Sequence, residues 1–266
     1  MSMTRIVAGC AALTGTLLAT AVHAQAFGFY RSPVAQGQTQ GGSVGLAVLA
    51  TREYAGSDES RSLVVPTLDY QWANGVFAGV GNGLGINFSR SRDTAYGLRL
   101  TVDMGRDASR SAALTGLGDV RSRAEVGAFA NLPLSESLQL ASSLRYGSGN
   151  DRDGVVLDVG VNFSTPVSPS LRLSAGVASA WANRAYTQSY FGVSPAQSAT
   201  SVYAPYNTGA GLRDVRLNLG LAYAVAPSWT LTGGLSFTQL LGDAKDSPLV
   251  RDRSSFSGAV TANYRF

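Results

Sequence analysis

From Gly41 onward, apolar residues recur at every second position in runs of about ten, the period of a β-strand with two unlike faces. Val155, Leu157, Val159, Val161 and Phe163 share one parity, opposed by Asp158, Gly160, Asn162 and Ser164. The same alternation returns in Val215 to Val225, against Arg216, Asn218 and Gly220, and in Leu171 to Trp181, against Arg172, Ser174 and Gly176. Ala73-Asn74-Gly75, Asn131-Leu132-Pro133, Pro166 to Pro169 and Ala226-Pro227-Ser228 separate runs with turn chemistry. The polar face is made of Gly, Ala, Ser, Thr and Asn with a few charges. Such a face suits a polar-packed lumen, with the Val, Leu and aromatic face turned to lipid. Aromatic residues gather at strand ends, as with Tyr70, Trp72, Trp181, Tyr223, Trp229 and Tyr264, where an interfacial girdle stands. The pattern predicts an all-β protein, an antiparallel transmembrane β-barrel.

Strand parity then sets the number of strands. Strands near 254–266, 229–241, 212–225, 170–182, 154–165, 137–148, 119–130, 95–104, 63–72 and 41–51 leave Val76 to Phe88 to be placed. One strand there makes eleven, whereas bacterial single-chain barrels have an even number. Splitting the stretch at Gly81-Asn82-Gly83 gives twelve strands and puts both termini in the periplasm. The connections at 105–118, 149–153, 183–211 and 242–253 then lie outside the cell.

Before Gly41 the chain reads differently. Arg5 precedes the largely apolar run from Ile6 to Val22, with small residues correctly spaced before Gln25 or Phe27. This is a cleaved signal peptide over 1–24. Val7-Ala8-Gly9-Cys10 resembles a lipidation box, but too little apolar sequence precedes it. A periplasmic segment over 25–40 and a barrel over 41–266 follow, which places the mature chain in the outer membrane of a Gram-negative cell, surrounded by its lipid. Phe27, Phe29 and Tyr30 either dock into a partner or cap the inner mouth of the barrel.

Composition removes several functions. Only 14% of residues are charged, and the single cysteine (Cys10) and single histidine (His23) both sit in the signal segment. The mature chain therefore lacks the residues of the usual zinc sites, cysteine nucleophiles and histidine bases, so no enzyme, metal site or cofactor is expected. A net charge of +4 spread along the chain gives no basic stripe for nucleic acid.

Three groups of residues carry candidate roles. Tyr264 and Phe266 end an alternating last strand that resembles the signal read by the barrel assembly machinery. The expected lumen charges are Arg99, Asp103, Arg121, Arg123, Glu125, Arg145, Asp158, Arg172 and Arg216. They either pair and fill the lumen, with Arg121 and Arg123 serving Glu125 and Asp103, or line a narrow anion path. In the loops, Trp181, Tyr186, Tyr190 and Phe191 suit an aromatic plug or a ligand platform. Asp243 and Asp246 fit solvated or arginine-paired carboxylates better than a cation site.

Several phrases together resemble the MipA/OmpV family of outer-membrane proteins. They include Glu53-Tyr54-Ala55-Gly56-Ser57-Asp58, Pro66 with Tyr70, Gly83-Leu84-Gly85, Gly105-Arg106-Asp107 and Gly116-Leu117-Gly118-Asp119-Val120. Trp181-Ala182-Asn183, Tyr186, Tyr190 to Ser194, Leu241 to Ala244 and Asp246 to Val250 continue the match. Asn183 stands where the family commonly carries aspartate. The resemblance implies a scaffold that brings a lytic transglycosylase and a penicillin-binding protein together during growth of the murein sacculus. The alternative it implies, on the likeness of other members, is a porin-like channel or a surface adhesin or receptor involved in antibiotic or cationic-peptide response.

Overall fold

The alternating runs become twelve antiparallel strands closed into a barrel, each bonded to its sequence neighbours and β12 to β1. In this computed structural model residues 29–34, 39–91 and 93–266 are described; the signal peptide, its cleavage points and Phe27 lie outside them. The strands are β1 (Gly41–Arg52), β2 (Ser60–Gln71), β3 (Val76–Gly79), β4 (Gly83–Asn87), β5 (Ala95–Asp103) and β6 (Arg123–Pro133). They continue as β7 (Leu138–Ser148), β8 (Gly154–Pro166), β9 (Leu171–Ala182), β10 (Gly211–Ala226), β11 (Trp229–Leu240) and β12 (Ser254–Arg265). The stretch after Trp72 is split as parity requires. Gly83 turns the chain with φ +79°, a backbone that side chains other than glycine rarely adopt.

The seam that closes the ring runs in register from Ser43 opposite Arg265 to Ala50 opposite Gly258. Phe266 completes it, because its N–H donates to Gly42 O and Gly42 N–H donates to Phe266 O, both at 3.1 Å. Its ring lies 6.0 Å from Tyr70, which meets Trp72 at 5.0 Å, and Tyr264 meets Trp229 at 5.5 Å. The two residues of the terminal signal thus belong to an aromatic band at the periplasmic end, where amphipathic rings sit between headgroup and hydrocarbon. Outward positions such as Val44, Leu46, Val48, Leu217, Leu219 and Leu221 are exposed along the wall, as lipid-facing residues must be.

Two departures from the pattern matter. The stretch from Asp119 to Ser122 lies outside the barrel wall, since Val120 forms an isolated bridge with Arg106 and β6 starts only at Arg123. In addition, β3 and β4 are short. β3 pairs with β2 only from Asp69 to Gln71, and β4 pairs with β5 only from Leu84–Leu100 to Asn87–Gly97.

Candidate functional site

The polar faces of neighbouring strands meet in the lumen as one chain of ion pairs. Arg145 on β7 reaches Glu125 on β6 at 3.2 Å and Asp158 on β8 at 3.0 Å. Asp158 is also paired with Arg216 on β10, whose Nε lies 3.0 Å from Asp214 Oδ1. Asp214 takes Arg213 Nε at 2.6 Å, and Arg213 Nη1 donates to the Tyr186 hydroxyl at 2.9 Å. Glu125, Asp158, Arg213, Asp214 and Arg216 are all buried. Carboxylates and guanidiniums in this position persist because each has an opposite charge within reach. Arg99 donates to Ser143 Oγ at 2.7 Å, and Asp103 accepts the Tyr190 hydroxyl at 2.5 Å.

This network corrects part of the sequence reading. Arg121 is exposed in the loop before β6 and is not a lumen residue, because the Val120 bridge holds its segment in the outer loop. Arg123 stands at the rim and bonds Asn150 O at 3.2 Å, so Glu125 is served by Arg145 and not by Arg121 or Arg123. Arg172 is exposed at the periplasmic end of β9, where it donates to Ser164 Oγ at 3.3 Å. Arg213 and Asp214 are missing from the sequence reading. Asp214 has the inward parity of Arg216, and a register shift between Leu212 and Asp214 turns Arg213 inward as well, although it shares the parity of Val215 and the lipid-facing Leu217. An arginine at an apolar parity was the available signal, since a bulge is what removes it from lipid.

Above the network, loops rooted on opposite sides of the ring fold into a cap. The loop after β9 carries α1 (Arg184–Phe191) and α2 (Pro195–Thr200), and the loop after β11 carries α3 (Gly242–Lys245). Asn183 caps α1 by accepting from Tyr186 N at 3.0 Å. It also accepts from Val155 N and donates through Nδ2 to Asp153 O at 2.8 Å. That last bond needs an amide, so the departure from aspartate is used by the local structure. Tyr186, Tyr190 and Phe191 pack with Val120, Val156, Leu240 and Ala244, the two tyrosine rings stacked at 4.5 Å. A second apolar cluster joins Tyr54, Leu114, Leu117, Val193, Tyr203 and Leu249, which belong to four different loops. Backbone carbonyls receive the polar tips: Tyr54 donates to Leu249 O, Tyr203 to Ala113 O and Arg106 to Tyr190 O. Asp243 accepts from Gly209 N at 2.5 Å, and Asp246 pairs with Arg253 at 3.1 Å. Trp181 is apart from these residues, at the end of β9 on the exposed outer face.

Burial pushes the Tyr186 phenol up to about 12 and raises Tyr190 further, with Tyr186 and Asp103 adding to it. Both hydroxyls therefore stay protonated and keep their bonds. A phenol with a raised folded-state value stabilises the cap fully below about pH 10, its unfolded value, and that contribution is lost as pH rises through the folded value. In a spectrophotometric titration the protein is expected to show a late phenolate phase above about pH 11. This phase should shrink in the Tyr186→Phe/Tyr190→Phe variant. A single phase near pH 10 in both proteins would contradict the buried cap.

The periplasmic mouth is also occupied. Tyr30, just 1% exposed, stacks on Phe129 at 4.2 Å and meets Phe77 at 4.9 Å, while its hydroxyl donates to Gln71 Oε1 at 2.6 Å. Gly85 and Gly97 leave the room for these rings, because a Cβ at either would lie 2.6 Å from Phe77 and 3.1 Å from Phe129 respectively. Asn131 Nδ2 donates to Tyr30 O at 2.8 Å, and Asn82 accepts from Arg31 N and donates to Arg31 O. Of the two roles open to this segment, Tyr30 takes the one inside the barrel mouth.

A closed twelve-strand barrel with an apolar outer wall, a charge-paired interior and an aromatic band at its periplasmic end defines an outer-membrane β-barrel protein. The chain belongs to the family of the MltA-interacting protein MipA, whose model matches residues 44–266. Among solved structures it is similar to the KdgM porin, with 10% identity over 84% of this chain and 99% of that one and a TM-score of 0.45. It is also similar to an outer-membrane channel from Pseudomonas putida F1, with 11% identity over 88% and 100% and a TM-score of 0.43. No curated protein matches the chain.

Proposed function

We propose that the protein is a non-enzymatic outer-membrane scaffold that holds a lytic transglycosylase, and with it a penicillin-binding protein, at the periplasmic face during growth of the murein sacculus. The observation that carries this reading is the closure of the barrel. A four-loop cap, a chain of ion pairs and the Tyr30 plug lie in series along the axis, an arrangement suited to an anchor and not to an open pore. The family's description as MltA-interacting gives the partner class. The work of such an anchor falls to the periplasmic rim. There the connection after β4 carries exposed Phe88 and Arg90.

The test is capture of a purified lytic transglycosylase by the full chain. Phe88→Ala together with Arg90→Glu is expected to abolish capture while the barrel stays heat-modifiable. Undiminished capture would remove the rim from the interface. A second reading, a gated channel, is favoured by one feature. The lumen side formed by β11, β12, β1 and β2 is lined with the small, half-exposed Ser43, Thr67, Thr232, Thr261 and Asn263.

A further inference from the structure

The segment in the periplasmic mouth is held in the way a bound peptide is held. Phe77 from β3 and Phe129 from β6 lean over Gly85 and Gly97, which lie on the two strands between them. Tyr30 enters the slot so formed, 1% exposed, with its ring stacked on Phe129 at 4.2 Å. Side chains of the wall then meet groups that any extended peptide with a tyrosine presents. Gln71 Oε1 accepts the phenol at 2.6 Å, and Asn131 Nδ2 donates to Tyr30 O at 2.8 Å. Asn82 takes the next residue by both backbone groups, accepting from Arg31 N at 2.9 Å and donating to Arg31 O at 2.8 Å. Its amide is oriented by the wall itself, because Nδ2 also donates to Asp69 Oδ1 at 3.1 Å. Before the tyrosine, Phe29 lies against Gly160 of β8, where a Cβ would stand 3.2 Å from its Cζ.

A strand ladder is missing from this arrangement. No backbone–backbone hydrogen bond among the described residues ties 29–34 to the wall, and Arg31 and Ser32 are exposed. One buried anchor ring, with the backbone beside it met by side chains, is the pattern of a peptide complex and not of a barrel strand. The slot also holds more capacity than this occupant uses. Asn131 is 6% exposed, and its Oδ1 has no hydrogen-bond partner among the described residues, so an acceptor is left for a ligand with one more donor. Gln71 ends β2 and Asn131 stands near the end of β6, which puts the slot at the periplasmic end of the lumen.

We propose that this slot is a binding site for an extended periplasmic peptide with a tyrosine anchor, and that Tyr30 and Arg31 occupy it as a tethered, displaceable stand-in. The ligand is a chain that offers a tyrosine followed by a residue with both backbone groups free. The site lies in the lumen and not on the rim, so it stands or falls apart from the scaffold reading. The tether sets the competition, since a segment on a short flexible linker is present at an effective concentration on the order of millimolar.

A chain lacking only residues 29–34, purified in micelles, is titrated with a fluorescent peptide of residues 29–34. Saturable binding is expected, displaced by the unlabelled peptide. Its Tyr30→Ala form should compete about thirtyfold or more less well, the loss of an anchor. Its Tyr30→Phe form should compete about threefold to tenfold less well, the loss of one hydrogen bond, and Gln71→Leu in the barrel should erase that preference. The intact chain should bind more weakly than the deletion variant, because its own segment competes. Absence of saturable binding, equal binding by the intact chain, equal competition by the Tyr30→Ala peptide, or a preference that survives Gln71→Leu would overturn the proposal. Loss of the heat-modifiable barrel on deletion would also overturn it, because a segment that the fold requires is not displaceable.

Discussion

Asp158→Ala is expected to be the most destabilising single change in the lumen, at about 3 kcal/mol, the lower end for a buried ion pair that loses one partner. Asp158 is buried between Arg145 and Arg216, and its removal leaves Glu125 and Asp214 to balance those two cations together with Arg213. The low end applies because each arginine keeps one acid. The double variant Asp158→Ala/Arg216→Ala should recover part of the loss, because it removes the excess charge with its partner, and the shortfall from additivity measures the coupling. Guanidinium unfolding from vesicles reads both values. A single variant within about 0.5 kcal/mol of the parent, the range of ordinary surface changes, would mean that water and not Asp158 solvates the arginines.

The second large effect concerns passage through the barrel. The intact protein is expected to carry no steady current in a planar bilayer, and deletion of residues 185–209 to open one. That deletion removes α1, α2 and the Tyr186, Tyr190, Phe191, Val193 and Tyr203 contributions to both apolar clusters of the cap. Beneath it lies the side of the lumen lined by Ser43, Thr232, Thr261 and Asn263, which carries none of the paired charges. Arg213 loses its bond to Tyr186 but keeps Asp214, so the ion pairs below should stand. A large steady current from the intact protein would favour the channel reading over the scaffold.

The two expectations depend on different depths of information. Ring closure, strand number and wall polarity follow from alternation, turn residues and parity, all local properties of the chain. The tripeptide Gly81-Asn82-Gly83 was enough to split the one ambiguous strand. The candidate site was legible only in part. Arg145, Asp158 and Arg216 share the inward parity and do meet: β7 and β8 are neighbours, and Arg216 on β10 reaches Asp158 across the small Ala178 and Ala180 of β9. Arg121 does not meet them: whether a run begins in the wall or in a loop depended on the Val120 bridge to Arg106, a contact between two ends of a loop.

By itself, then, the sequence determined which side of each strand faces lipid, since a period of two is fixed by the geometry of one extended chain. Three matters were decided by the tertiary structure alone. A bulge at Leu212 to Asp214 turned Arg213 inward against its own parity. Four loops distant in sequence pooled Tyr54, Leu114, Val193 and Leu249 into one apolar cluster that none could form alone. Tyr30 found its place between Phe77 and Phe129, and Asn82 bonded Arg31 fifty-one residues away, so that a short hairpin became the plug's clamp. Each depends on the distance between segments remote in the chain, a quantity that no local pattern contains and that only the closed barrel sets.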